Sequence, residues 1–310
     1  MEELTMTQPI EQMLEELQRR NYSPGTIRNY LRIVKNFGKH FRRRPEKLGP
    51  NELRRYQVYL LKECKLAVNT VVMHVAALRF FFTRTLKMPG FQEEIPYPKC
   101  PKRKPTVLSR QEVASLINAA GNLKKRALLM TYYGTGVRRT EGALLKVTDI
   151  DSARMMVNVE CGKGGDGRSI PLSPILLETL REYYKWYRPK GYLFPSNCYR
   201  WREKKAGIKD KPISGKTIWN ACRDAARHAG IKKHVTPHTL RHSFATHLLE
   251  DGADLPTVQK LLGHADIRAT EIYTHLSARH LRKKFNLLEN LKLDSVKQTN
   301  RCYHRKKGQS

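Results

Sequence analysis

The chain has 310 residues, an apolar fraction of 40% and a formal net charge of +31, with a pI near 10.1. That length allows two domains and a sizeable core, and that charge points to a polyanionic partner, nucleic acid before a membrane surface. The opening Met1-Glu-Glu-Leu-Thr is acidic, and the longest apolar stretch, Val71 to Phe82, is broken by His74 and Arg79, so the reading is a soluble intracellular protein without signal peptide or membrane span.

Residues 1–87 read as all-helical. Ile10, Met13, Leu14 and Leu17 form one apolar face. Ser23-Pro24 is an N-cap followed by proline at the first helical position. The next helix buries Ile27, Tyr30, Leu31, Val34 and Phe37, and its opposite side carries Arg28, Arg32, Lys35 and Lys39. Arg42, Arg43 and Arg44 extend this basic stripe. A charge run is commonly a solvated face, but no acidic residue interrupts this one, which suits phosphate contact. Helices are expected at about 51–63 and 69–86, the second with Phe80, Phe81 and Phe82 in the core.

Residues 88–105 carry Pro89, Gly90, Pro96, Pro98, Pro101 and Pro105 and cannot continue a helix. With Lys99, Lys102, Arg103 and Lys104 they read as a basic linker. A second domain spans 106–290. Ser109-Arg-Gln-Glu112 is a capping box before an apolar-periodic run, and Leu123 to Tyr133 is a helix ending at Gly134-Thr-Gly136. Alternation at Met155, Val157 and Val159 predicts a strand. Gly162 to Gly167 is its turn and Arg168 to Leu172 the returning strand. Ser173-Pro174 caps a helix over 175–187, residues 190–212 are loop-rich, and helices follow at about 215–229, 237–250, 255–262, 267–275 and 277–290. Residues 291–310 are a basic tail. The fold class is mainly α with a small antiparallel β-sheet (α+β).

Cys64, Cys100, Cys161, Cys198, Cys222 and Cys302 form no C-x-x-C pair, so neither a disulfide framework nor a zinc site is indicated. His234, His238, His242 and His247 lack a carboxylate or thiol to complete a metal set, and no metal is expected.

The chemistry concentrates in Thr236-Pro-His-Thr-Leu-Arg241, Leu262-Gly-His264 and Tyr273. A tyrosine hydroxyl has a pKa of about 10, so ionising it at neutral pH costs roughly 4 kcal/mol. To attack a phosphodiester it needs a proton acceptor, cations on the non-bridging oxygens and a proton donor for the leaving oxygen. Arg138 and Arg241 can each grip phosphate bidentately. His238 and Arg241, at i and i+3, share a helical face near a helix start that itself favours an anion. Lys163 sits in a glycine-rich turn, able to carry a proton, and His264 can hydrogen-bond a phosphoryl oxygen.

In this order the residues resemble the tyrosine recombinase, or phage integrase, family, in its Xer and integron-integrase branch. The matching elements are Gly134-Thr-Gly-Val-Arg138-Arg-Thr-Glu141, Gly162-Lys163-Gly-Gly, His238-Thr-Leu-Arg241-His-Ser-Phe-Ala-Thr-His, Leu261-Leu-Gly-His264 and Ile272-Tyr273-Thr-His. The resemblance implies a site-specific recombinase or integrase, with a helical, SAM-like core-binding domain over 1–87 and a catalytic domain over 106–290. It implies Tyr273 as the nucleophile forming a 3′-phosphotyrosyl link, Arg138 and Arg241 on the phosphate, Lys163 as general acid, His238 as general base, His264 as supporting donor and Glu141 as a brace. It implies no cofactor, double-stranded DNA as partner, and a homotetramer on synapsed DNA sites from a monomer or weakly associated protein off DNA. The setting is cytoplasmic and nucleoid-associated. Phe285, Leu288 and Leu291 offer an apolar strip for a neighbouring protomer. Arg139, in place of the family's common apolar residue, and Asp166, where a second basic residue is frequent, are modest departures. The alternatives are a non-catalytic DNA-binding protein on the same fold, which the intact residue set disfavours, and a type IB topoisomerase, which the compact spacing disfavours.

Overall fold

A computed structural model describes residues 8–88, 96–99, 106–160, 167–196 and 211–263. The chain divides into two compact units, Met1–Arg103 and Lys104–Ser310, each with its own apolar core.

The N-terminal unit is helical. Helix α1 (Gln8–Arg19) buries Ile10, Met13 and Leu17. Helix α2 (Pro24–Phe41) starts as its sequence predicts: the Ser23 hydroxyl accepts from the Thr26 N–H at 3.2 Å and Pro24 takes the first turn. Helix α3 (Pro50–Lys62) begins where the Glu52 carboxylate accepts from the Gly49 N–H, and α4 (Val68–Phe80) packs against both α2 and α3.

Two expectations are corrected here. The helix expected to run to residue 86 changes at Phe81–Thr85 into a π-helical turn. Successive positions on an α-helix point about 100° apart, so three consecutive aromatic rings cannot share one face. With the wider turn all three rings lie in the core as expected, Phe81 and Phe82 fully buried and Phe80 9% exposed. The basic stripe also stops being helical after Lys39. Arg42 adopts a left-handed conformation at φ 51° and caps α2. Arg43 donates to the Lys47 carbonyl at 2.8 Å and pairs with Glu52 at 3.4 Å. Arg42, Arg43 and Arg44 thus lie on a turn, not on the helix face.

The C-terminal unit is built around α6 (Leu123–Thr135), whose residues are buried nearly all round. It is the central helix of the unit although Lys124 and Arg126 are buried with its apolar residues, Lys124 donating to the Pro195 carbonyl at 2.5 Å and Arg126 to Asn118 at 3.0 Å. It packs on α5 (Arg110–Asn118), α7 (Arg139–Leu144), α8 (Pro174–Tyr187), α9 (Gly215–His228) and α10 (Pro237–Glu250), and α11 (Leu255–Leu262) leans on α10. The Ser109–Glu112 capping box forms in both directions, at 3.2 and 2.7 Å. Ser173 occupies the N-cap position of α8, but its hydroxyl makes no capping bond.

The sheet has three antiparallel strands in the order β1 (Ile150–Asp151), β2 (Met156–Val159) and β3 (Arg168–Pro171). The register pairs Ile150 with Val157, Val157 with Ile170 and Val159 with Arg168. Met155, read as strand, has φ 54° and belongs to the preceding turn. Strand β3 packs against α11. The chain is therefore mainly α with a small antiparallel sheet. No helix among the described residues is long and apolar enough to cross a membrane.

Candidate active site

The site starts at the end of α6. Gly136 caps that helix at φ 60°, and a Cβ there would lie 2.4 Å from a Phe244 ring carbon. Only glycine fits both the backbone and the space. Two residues later Arg138 opens α7, and the Glu141 carboxylate reaches back to its N–H at 2.8 Å. Gly142 lets α7 lie on Tyr132, since a Cβ would meet that ring at 2.5 Å, and the Tyr132 hydroxyl donates to the Arg139 carbonyl at 2.8 Å.

Glu141 sits between two guanidiniums. It accepts from Arg138 Nη1 at 2.6 Å and from Arg168 Nη1 and Nη2 at 3.2 and 2.7 Å. Burial pushes its carboxyl up, but the hydrogen bonds from Arg168 and from the Arg138 N–H and side chain outweigh burial and hold it at about 2. It is ionised throughout the physiological range.

Three arginines converge on the C-terminus of α11, where helix carbonyls have no intrahelical partner and carry the negative end of the helix dipole. Arg168 Nε donates to the Leu261 carbonyl at 2.7 Å, Arg241 Nη2 to that of Leu262 at 2.7 Å, and Arg138 Nη2 to that of Gly263. Arg241 Nη1 also donates to the Gly136 carbonyl at 2.6 Å. Burial, then the neighbouring Arg138, lowers Arg241 to about 10, so it stays charged. Three guanidiniums face one carboxylate among the described residues. A buried excess of positive charge is favourable only where an anion completes it.

His238 stands on the first turn of α10, after Pro237, where the Thr236 hydroxyl accepts from the Thr239 N–H at 3.2 Å. His238 itself is exposed, with the buried Arg241 one turn on. Partial burial, then His242, Arg139, Arg241 and Arg138, lower its pKa below the usual value, so the ring is neutral near pH 7 and able to accept a proton. Arg139 packs its guanidinium against Gly215 at the start of α9.

The structure thus brings together Arg138, Glu141, Arg241 and His238 from two segments about a hundred residues apart. Lys163, His264 and Tyr273 lie outside the described residues, as do the strip Phe285, Leu288 and Leu291 and the basic tail. Arg28, Arg32 and Lys39 are exposed on α2 and Lys35 half-buried; Arg32 donates to Asn29 at 2.6 Å. The four histidines do not converge: His247 is buried with its Nδ1 2.9 Å from the Tyr133 hydroxyl, and His234 lies beside Trp219. No group of three metal-ligating side chains occurs among the described residues. Sequence reasoning missed Arg168. Its only signal was a basic residue beginning the strand after a glycine-rich turn.

Residues 106–280 match the model of the phage integrase family, and residues 10–90 match that of the phage integrase N-terminal SAM-like domain. A putative integrase/recombinase, y4qK, of Sinorhizobium fredii is 45% identical over 89% of this chain and 87% of its own length. Tyrosine recombinase XerA of Pyrococcus furiosus is 38% identical over 73% of this chain and 77% of its own. A lambda integrase dimer bound to a COC′ core site shares the fold, with a TM-score of 0.66 at 19% identity, over 83% of this chain and 94% of that one.

Proposed function

The chain belongs to the phage integrase family of tyrosine recombinases, and from that membership we propose that it breaks and rejoins DNA at specific sites with Tyr273 as nucleophile. The Tyr273 hydroxyl gives its proton to His238 and attacks the phosphorus. The bond from phosphorus to the 5′ oxygen breaks, and Lys163 gives that oxygen a proton. Arg138 and Arg241 hold the non-bridging oxygens, with His264 as a further donor and Glu141 bracing Arg138. An incoming 5′ hydroxyl reverses the steps on the 3′-phosphotyrosyl link. One phosphodiester is broken and one formed, so the balance needs neither metal nor nucleotide.

The observation that carries this reading is the meeting of Arg138 and Arg241 at the C-terminus of α11, with the neutral His238 one helical turn before Arg241. A charge excess there suits a phosphodiester in a protein of net charge +31.

The assignment extends to the rest of the chain. Residues 1–87 act as the core-binding domain, 88–105 as linker, 106–290 as the catalytic domain and 291–310 as a basic tail. Arg28, Arg32, Lys35 and Lys39, with Arg42 and Arg44 on the following turn, contact phosphates; Arg43 is tied to Lys47 and Glu52. The relatives' folds include a lambda integrase tetramer bound to a Holliday junction, and we assign four copies of this chain to the synapsed sites, acting on the nucleoid in the cytoplasm.

Covalent capture tests the reading. Purified protein is mixed with a pool of nicked duplexes randomised around the nick, and DNA that stays attached through denaturation is sequenced. The expected result is a defined joined sequence, with no capture by Tyr273→Phe although that variant still binds. Binding without capture by the wild type would return the protein to the non-catalytic class.

A further inference from the structure

We propose that Arg168 is a positioning residue of this site: it locks the C-terminus of α11 to Glu141 and so fixes where the Arg138 guanidinium is held. The inference rests on the recombinase reading and adds a residue to it.

Arg168 opens β3, and its side chain is only 8% exposed. A guanidinium has five N–H donors in a rigid plane. Nη1 and Nη2 form a fork on the two oxygens of Glu141, while Nε reaches the Leu261 carbonyl. One rigid group therefore ties together β3, the start of α7 and the end of α11.

Arg138 is held at second hand by the same group. Its side chain has two described anchors, the Glu141 carboxylate and the Gly263 carbonyl. Arg168 grips the first directly. It governs the second through the Leu261 carbonyl, two residues earlier on the same helix end. It also lies over Gly263, where a Cβ would come within 2.8 Å of its Nη1 and where φ is 65°. The end of α11 at Gly263 is thus shaped by Arg168 on one side and by glycine's backbone freedom on the other. Without Arg168, Arg138 keeps its charge and its Glu141 partner, but both anchors can shift.

Lysine cannot replace this arrangement. A single ammonium on a flexible stem offers no planar fork, so it cannot hold both carboxylate oxygens and the Leu261 carbonyl in one geometry. A displacement of about 1 Å at a phosphate-gripping group costs on the order of a hundredfold in rate. The long-range charge that draws DNA in is little changed, because Arg168→Lys keeps the charge and Arg168→Met removes one positive charge from a chain of net charge +31.

The experiment compares wild type, Arg168→Lys and Arg168→Met on the nicked duplex that wild type recovers from the randomised pool. It measures DNA affinity and the single-turnover rate constant for covalent adduct formation. That rate constant does not depend on the fraction of protein that is folded, so a poorly folding variant can still be compared with wild type. The expected result is a rate lower by about tenfold for Arg168→Lys and about a hundredfold for Arg168→Met, with affinity within about threefold of wild type. Rates within about twofold of wild type for both variants would overturn the proposal, as would a loss confined to affinity. A wild type that forms no adduct overturns the recombinase reading itself, a failure distinct from unchanged variant rates.

Discussion

Replacing Glu141 with glutamine keeps the shape of the side chain and removes its charge. In the native protein the carboxyl is held at about 2 against an ordinary value of 4.5. That difference corresponds to about 3 kcal/mol of extra stability from the ionised form, in line with the roughly 3–5 kcal/mol lost when one partner of a buried ion pair is removed. The folded-state pKa is depressed, so this stability is fully present above about pH 4.5 and is lost as pH falls towards 2. Glu141→Gln should therefore cost about 3 kcal/mol at pH 7 but only about 1.4 kcal/mol at pH 3, where much of the native advantage has gone. The assay is urea unfolding followed by tryptophan fluorescence. Trp186, Trp201 and Trp219, the three tryptophans of the chain, all lie in the C-terminal unit, so the signal reports the unit that contains Glu141. A cost that is the same at both pH values, or one below about 0.5 kcal/mol at pH 7, would refute the account of Glu141 as the charge that holds Arg138 and Arg168.

Other outcomes follow from the same geometry. Gly136→Ala combines a left-handed backbone with a clash against Phe244 and should lower stability by about 2–4 kcal/mol in the same unfolding assay. The acid limb in the second-order rate of adduct formation, which reports the free enzyme, should fall below pH 6.5, because burial, His242 and the nearby arginines disfavour protonated His238; a limb above pH 6.5 would contradict that environment. Changing both Arg28 and Lys39 to glutamine should flatten the plot of log affinity against log salt by about 1.8, at about 0.9 for each phosphate no longer neutralised. An unchanged slope would remove the stripe from the DNA interface.

Much of this architecture is visible in the sequence because it is local. The caps at Ser23 and Ser109 and the helix end at Gly134-Thr-Gly136 are short-range chemistry, and each forms in the structure. Glu141 was expected as a brace from the family resemblance alone, and its carboxylate meets Arg138 three residues away. Arg168 was not, since its partners are 27 and 93 residues away and nothing in its own neighbourhood announces them. Helix α7, with six residues, and β1, with two, are too short to show a period. The π-helical turn at Phe81–Thr85 and the left-handed Arg42 arise from packing: in one case several rings compete for one core, in the other α2 must stop above Pro45. The roles of Lys163, His264 and Tyr273 stand on the sequence.

The most direct test of the account is to locate the covalent bond. The wild-type adduct, digested with protease and nuclease, should yield one peptide carrying a nucleotide through a tyrosine, and mass spectrometry should place that link on Tyr273. A nucleotide on any other residue, or an undiminished adduct from Tyr273→Phe, would contradict it.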